Sequence, residues 1–84
     1  MRLIMIYREK SEARMRVEEF LHDFKFQTGR EIETINPDTR AGQSFIEAYE
    51  IVEFPTLIAL NSDGVEMAKW RGELPTISET SAYN

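Results

Sequence analysis

The sequence of 84 residues contains no cysteine. This absence excludes disulfide bonds, thiolate metal ligands and cysteine nucleophiles within the chain. Long apolar runs are missing too, since no stretch approaches the roughly 20 residues of a membrane-spanning helix. The opening segment "MRLIMIYREK" also lacks the small-residue cleavage site of a secretory signal. We therefore expect a cytoplasmic protein without a membrane partner.

Positive charge is scarce. Ten Lys and Arg residues stand against 15 Asp and Glu residues, which gives a formal net charge of -5. Nucleic-acid binding depends on clustered basic residues that neutralise phosphates. We therefore predict that the partner is not a nucleic acid.

The composition that remains is that of an ordinary globular protein, with 42% hydrophobic and 30% charged residues. A chain of this length can build one small core and has few apolar residues to spare. We predict a single domain over residues 1–84, and a monomer.

Periodicity predicts the elements of the first half. The apolar run at 2–7 has the length of a strand buried on both faces, and we place it at the centre of a sheet. Apolar residues at helical spacing predict a helix over 11–26, with Ser11 as its N-cap and Gly29 as its stop. Residues 31–36 alternate imperfectly and predict a second strand.

The second half predicts a short amphipathic helix at 41–51 and then strands at 56–61 and 65–71. The intervening Asp63-Gly64 is a strong hairpin signal. A short closing helix is expected to start at Pro75 or Thr76. The order βαβαββα predicts an α/β fold with a four-stranded mixed sheet and three helices, built from two right-handed βαβ-type crossovers and a hairpin.

This order and the stretch "IVEFPTLIALNSDGVEMAKWRGELP" at 51–75 resemble the thioredoxin family in its compact, glutaredoxin-sized form. The resemblance covers nearly the whole chain. It implies a cis peptide bond between Phe54 and Pro55, at the first position of a strand, where a missing N–H does least harm.

The family's redox chemistry requires a Cys-x-x-Cys motif at the start of the first helix, where the free N–H groups and the helix dipole stabilise a thiolate. In this chain the two positions fall at Glu12 and Met15, or at Ser11 and Arg14 if the loop is one residue shorter. Neither register supplies a sulfur nucleophile. We therefore predict that the protein is not a thiol-disulfide oxidoreductase, and we expect no cofactor.

Other polar and apolar candidates are assigned structural roles. His22 is the only histidine and is expected on a helix face, so no metal site is predicted. Glu18, Glu19 and Asp23 are expected to face water. Trp70 is expected to be structural. Packing roles are also expected for the four methionines, which are Met1, Met5, Met15 and Met67.

The resemblance also implies a binding groove that needs no cysteine. The residue before the proline, Phe54, would pair its backbone with an extended peptide. Three segments are expected to meet at this groove: Ser11, Glu12 and Met15; Glu53, Phe54 and Pro55; and Arg71, Gly72 and Glu73.

A locally basic segment surrounds the start of the first helix. Arg8, Lys10 and Arg14 are candidate contacts for a small anionic group or an acidic partner. The alternative is that these side chains are solvated surface charges.

Three functions remain open. The first, which we favour, is a non-catalytic interaction module that binds a protein or peptide in the groove. The second is a degenerate redox domain, of thioredoxin or glutaredoxin type, that is accessory to a thiol-disulfide partner. The third is a KaiB-like assembly protein.

Overall fold

The computed structural model of the protein describes residues 1–83. It contains four strands and three helices in the predicted order. They are β1 (Arg2–Ile6), α1 (Arg14–Thr28), β2 (Glu33–Ile35), α2 (Arg40–Ala48), β3 (Thr56–Leu60), β4 (Glu66–Arg71) and α3 (Ile77–Ser81).

The strands form one mixed sheet in the order β2-β1-β3-β4. The pair β1 and β2 is parallel, whereas β3 runs antiparallel to both β1 and β4. The prediction of two βαβ-type crossovers is therefore wrong for the second one. A parallel crossover connects β1 to β2 through α1. The second connection, through α2, leads to β3, which lies on the other side of β1 and runs antiparallel to it.

The central position predicted for β1 is confirmed, because β1 pairs with β2 on one side and with β3 on the other. Its side chains alternate between two cores. Leu3 and Met5 face α1 and α3, in a cluster that includes Phe24. Ile4 and Ile6 face α2, in a second cluster. Both faces of the sheet are thus covered by helices.

The start of α1 differs from the prediction. Ser11 is not the N-cap, because its hydroxyl donates to the carbonyl of Arg8 at 2.7 Å and the helix begins only at Arg14. Ala13 occupies the N-cap position and offers no side-chain acceptor. The stop at Gly29 is confirmed, since this residue has φ of 73° and its N–H donates to the carbonyl of Lys25.

The hairpin between β3 and β4 turns at the predicted place. The side chain of Asn61 accepts hydrogen bonds from the N–H groups of Asp63 and Val65, each at 2.9 Å. The closing helix is also confirmed. Thr76 is its N-cap and forms a reciprocal capping box with Glu79.

The methionines do not share one role. Met5 is fully buried, as predicted, but Met15 is 81% exposed, so a packing role for Met15 is wrong. Among residues 1–83, no helix combines the length and the apolar character needed to cross a membrane.

Candidate proline groove

The turn before β3 is held in place on both sides. The Phe54–Pro55 peptide bond is cis, and Pro55 is fully buried. The carbonyl of Pro55 accepts a hydrogen bond from the N–H of Gly72 at 2.8 Å. The hydroxyl of Thr56 donates to the carbonyl of Glu53 at 2.7 Å. These two bonds attach the turn to the end of β4 and close it upon itself.

A groove of about 400 Å³ lies between this turn and the start of α1, and we name it the proline groove. Its walls come from the end of β1, the loop that follows, the first turn of α1 and the proline turn. The lining residues are Tyr7, Arg8, Ser11, Glu12, Ala13, Arg16, Phe54 and Pro55.

Arg8 connects two walls of the proline groove. Its guanidinium lies 4.8 Å from the centroid of the Phe54 ring, within the range of a cation–π contact. The same side chain donates from Nε to both carboxylate oxygens of Asp38, at 3.1 and 3.2 Å. Arg8 is thus oriented by one aromatic face and one carboxylate.

Tyr7 lines the proline groove and is only 8% exposed. Its hydroxyl donates to Oε2 of Glu18 at 3.4 Å. Burial raises the pKa of Tyr7 above its usual value, and the negative charges of Glu18 and Glu9 raise it further. The phenol is therefore neutral at physiological pH and serves as a donor.

Five of the residues predicted for the site or its anion contacts line the proline groove. They are Arg8, Ser11, Glu12, Phe54 and Pro55. Gly72 lies outside the lining but contacts it through its bond to the Pro55 carbonyl.

The other predicted residues lie elsewhere. Met15 is on the exposed side of α1, and Glu53 is exposed beside the turn. Arg71 and Glu73 border a separate depression together with Trp70. Trp70 itself is partly buried and packs edge-on against Tyr83.

Two of the three candidate anion contacts already have a carboxylate partner, since Arg8 pairs with Asp38 and Arg14 pairs with Glu18. The Nε of Arg14 is paired with the carboxylate of Glu18, at 3.3 Å. Lys10 borders a neighbouring polar hollow beside Asn36 and Asp38.

Sequence reasoning missed three lining residues: Tyr7, Ala13 and Arg16. Tyr7 ends an apolar run and was predicted to be buried. It is buried, but it also lines the groove. Val52, at 74% exposure, is a further apolar residue two positions before Phe54. Val52 is not among the lining residues of the groove.

The proline groove brings together charged, aromatic and hydroxyl side chains. No group of three or more potential metal ligands occurs in the part of the chain that the structure describes. The proline groove contains one carboxylate, from Glu12, and two guanidinium groups, from Arg8 and Arg16. His22 is not among its lining residues, so no imidazole base stands beside Ser11.

Comparison with solved structures identifies this architecture. Thioredoxin 1 from the thermophilic eubacterium Thermosipho africanus superposes with a TM-score of 0.70 at 17% sequence identity, over 99% of this chain and 89% of that one. The chain has a thioredoxin-like fold. A structure described as a malarial protein gives a TM-score of 0.69 at 14% identity, over 96% of this chain and 89% of that one. No protein-family model matches the sequence, and no curated protein matches it.

Within this thioredoxin-like fold, the proline groove lies where the resemblance places the dithiol of the family. Ser11 and Glu12, the two alternatives for the first position of the dithiol, line the groove beside Pro55, whereas Arg14 and Met15, the alternatives for the second position, are not among the lining residues. The sequence has no cysteine with which to fill either position.

Proposed function

We propose that the protein is a non-catalytic thioredoxin-like interaction module that binds an extended segment of a protein or peptide in the proline groove. The observation that carries the proposal is the combination of this groove with unpaired backbone groups at its edge. Neither the N–H nor the carbonyl of Phe54 has a hydrogen-bond partner among residues 1–83.

The backbone of Phe54 supplies the orientation of the bound segment. An extended peptide that lies beside Phe54 accepts from its N–H and donates to its carbonyl, as in strand addition to a sheet edge. Pro55 is held by its bond to Gly72, so Phe54 is presented on a fixed turn. A fixed turn reduces the ordering cost of binding.

The side chains of the proline groove set the preference for the partner. Arg8 and Arg16 line the groove together with one carboxylate, that of Glu12. Arg8 is paired with Asp38, whereas the Arg16 guanidinium has no ion pair in the described residues. The unpaired guanidinium of Arg16 favours a segment with an acidic residue. Binding should therefore weaken as ionic strength rises, because added salt screens exposed charges.

A catalytic role is not part of the proposal. Thiol-disulfide exchange begins with attack by a thiolate, and the chain contains no thiol. The hydroxyl of Ser11 donates to a backbone carbonyl and has no base beside it that would make it a nucleophile.

Peptides selected from a random display library on the immobilised protein provide a test. We expect acidic, extended peptides to be enriched. The variant Ser11→Trp fills the groove, and we expect it to weaken the selected peptide by at least about tenfold. Ser44→Trp is the matched control, since Ser44 is an exposed serine on α2, away from the lining residues.

Amide chemical shifts of the labelled protein locate the bound peptide. Perturbation centred on Tyr7, Ser11 and Phe54, together with the loss in Ser11→Trp alone, supports the proposal. Equal loss in both tryptophan variants, or shifts confined to the outer faces of the helices, would contradict it. Selected peptides that bind only through a cysteine would favour the redox-accessory role, and slow exchange between two folds would favour a KaiB-like role.

A further inference from the structure

The exposed side of α1 carries a regular stripe. Met15, Glu19, His22 and Phe26 are spaced by four, three and four residues, so they lie along one line of the helix surface. We name these four residues the outer stripe. This alternation of four and three is the spacing at which one helix packs along another.

The two apolar members of the outer stripe are almost completely exposed. Met15 is 81% exposed and Phe26 is 84% exposed. The opposite side of the same helix carries Val17 and Phe24, which are fully buried in the core. The core therefore gives no reason for apolar residues at the outer positions, which lie about 16 Å apart along the axis.

We propose that α1 packs against α1 of a second copy of this chain, antiparallel and related by a two-fold axis between Phe20 and Leu21. This arrangement brings Met15 of each copy into contact with Phe26 of the other, so the contact occurs twice. It also places Glu19 opposite His22 of the second copy, so that a carboxylate faces an imidazole.

The residues that flank the outer stripe have the charges that this pairing requires. Arg16 and Asp23 lie on one side of the stripe, and Glu18 and Lys25 lie on the other. In an antiparallel pair, each flank meets the same flank of the second copy in reverse order. Arg16 therefore meets Asp23, and Glu18 meets Lys25.

These flanking groups are available for such contacts when the proline groove is empty, since Arg16 also lines that groove. Neither Arg16 nor Asp23 forms an ion pair in the described part of the chain. Glu18 and Lys25 each have an intrachain ion pair, and their side chains are 44% and 63% exposed. Exposed pairs of this kind exchange at little cost.

A shallow depression supports the contact between the apolar residues. It has a volume of about 360 Å³ and is bordered by His22, Lys25 and Phe26. Met15 of the second copy would lie in it. The unbranched thioether side chain adapts well to an irregular hollow.

The charge pattern also selects the antiparallel orientation. In a parallel pair about a two-fold axis, Glu19 would face Glu19 and His22 would face His22, while each flank would meet the opposite flank of the second copy. Like charges directly opposed are unfavourable. A two-fold interface must be self-complementary, and along the outer stripe only the antiparallel pairing places the carboxylate of Glu19 opposite the imidazole of His22.

The dimer should be weak. One pair of helices of this length buries less than the roughly 1,200 Å² of a standard stable interface. The monomer expected from the sequence is then the form at low concentration, and the dimer is populated as the concentration approaches the millimolar range.

Charge reversal tests the pairing by sedimentation equilibrium. We expect Arg16→Glu and Asp23→Arg each to weaken self-association by roughly tenfold, because two equivalent attractive contacts become repulsive. The double variant restores the pair, and we expect it to return to within about threefold of the wild type. Arg40→Glu on α2 is the control for net charge.

Crosslinking tests the orientation, and the absence of natural cysteines makes each introduced thiol unique. Chains with Met15→Cys are mixed with chains with Phe26→Cys and treated with a short bis-maleimide. Each mixed pair keeps one intact contact between Met15 and Phe26. We expect crosslinks in the mixture and none with Met15→Cys alone.

Three results would overturn the proposal. The first is a strictly monomeric wild type at millimolar concentration. The second is a double charge variant no better than the single ones. The third is efficient crosslinking of Met15→Cys with itself, which would indicate a different arrangement. Far-UV circular dichroism checks that each variant is folded.

Discussion

The guanidinium of Arg8 lies 4.8 Å from the centroid of the Phe54 ring and thereby joins the loop after β1 to the proline turn. Asp38 holds the same guanidinium from the other side, at 3.1 Å. The loop after β1 and the proline turn, which are far apart in the sequence, are thus connected at the proline groove. The groove owes part of its shape to a surface charge rather than to the apolar core.

Arg8→Gln should weaken the connection between the loop after β1 and the proline turn. We expect a loss of about 1 kcal/mol in the free energy of unfolding, since a cation–π contact and an exposed ion pair are removed together. Urea denaturation measures it. Arg40→Gln is the control, because no ion pair involves Arg40 in the described residues. Equal midpoints for the two variants would show that the Arg8 contacts contribute nothing.

Gly42→Ala should be far more damaging than its position on a helix suggests. A Cβ atom at Gly42 would overlap the backbone carbonyl oxygen of Asn36, so the backbone must move. We expect a loss of about 3 kcal/mol or more. Gly29→Ala is the comparison variant. A Cβ atom at Gly29 would meet nothing within 4 Å, and only the φ of 73° is unfavourable there. Gly29→Ala should therefore cost about 1 kcal/mol. Similar losses for both variants in thermal or urea unfolding would disprove the close approach.

Tyr83→Leu should weaken the attachment of the C-terminal helix. The Tyr83 ring meets the Trp70 ring edge-on, with centroids 5.5 Å apart and an interplanar angle of 77°. Leucine keeps apolar bulk but loses the aromatic geometry, and we expect a loss of about 1 kcal/mol. Trp70 is the only tryptophan, so its fluorescence reports directly on this contact. An unchanged emission spectrum together with an unchanged midpoint would be contrary to this expectation.

The ion pair between Arg2 and Glu33 should make stability depend on pH. Both nitrogens of the guanidinium fork donate to the carboxylate at 2.9 Å. The hydrogen bond from Arg2 lowers the pKa of Glu33 below its ordinary value of 4.5, and the positive charge of Arg2 lowers it further against the opposing effect of burial. The folded carboxyl group thus releases its proton more readily than the unfolded one. The pair therefore stabilises the protein above pH 4.5, and this contribution is lost as the pH falls through the folded pKa.

Glu33→Gln tests this dependence. Both side chains are about half exposed, so we expect the variant to be less stable at neutral pH by only about 0.5 to 1 kcal/mol. The difference should shrink as the pH falls below 4.5. Urea unfolding as a function of pH measures it, with Glu47→Gln as the control. A constant difference at every pH would mean that the hydrogen bond does not depend on the charge of Glu33.

The sequence predicted the proline groove in part, and the reason lies in the kind of contact involved. Ser11, Glu12, Phe54 and Pro55 were placed there by resemblance to a family, and they line it. Arg16 was missed, since nothing local indicates which helix residues turn toward a neighbouring loop. Met15 was placed there but lies outside, on the exposed side of α1, whose N-cap is Ala13 rather than Ser11.

The sequence by itself determined the order of the elements, the central strand, the hairpin at Gly64 and a closing helix that starts at Pro75 or Thr76. Each depends on local spacing or on turn chemistry, which act within a few residues. It also excluded sulfur chemistry, because composition alone decides that. Only the tertiary structure decided that β3 runs antiparallel to β1, that Arg8 stacks on Phe54, and that one side of α1 is left with two exposed apolar residues. These features depend on which distant segments come into contact when the sheet is assembled. Local patterns of residues do not indicate those contacts.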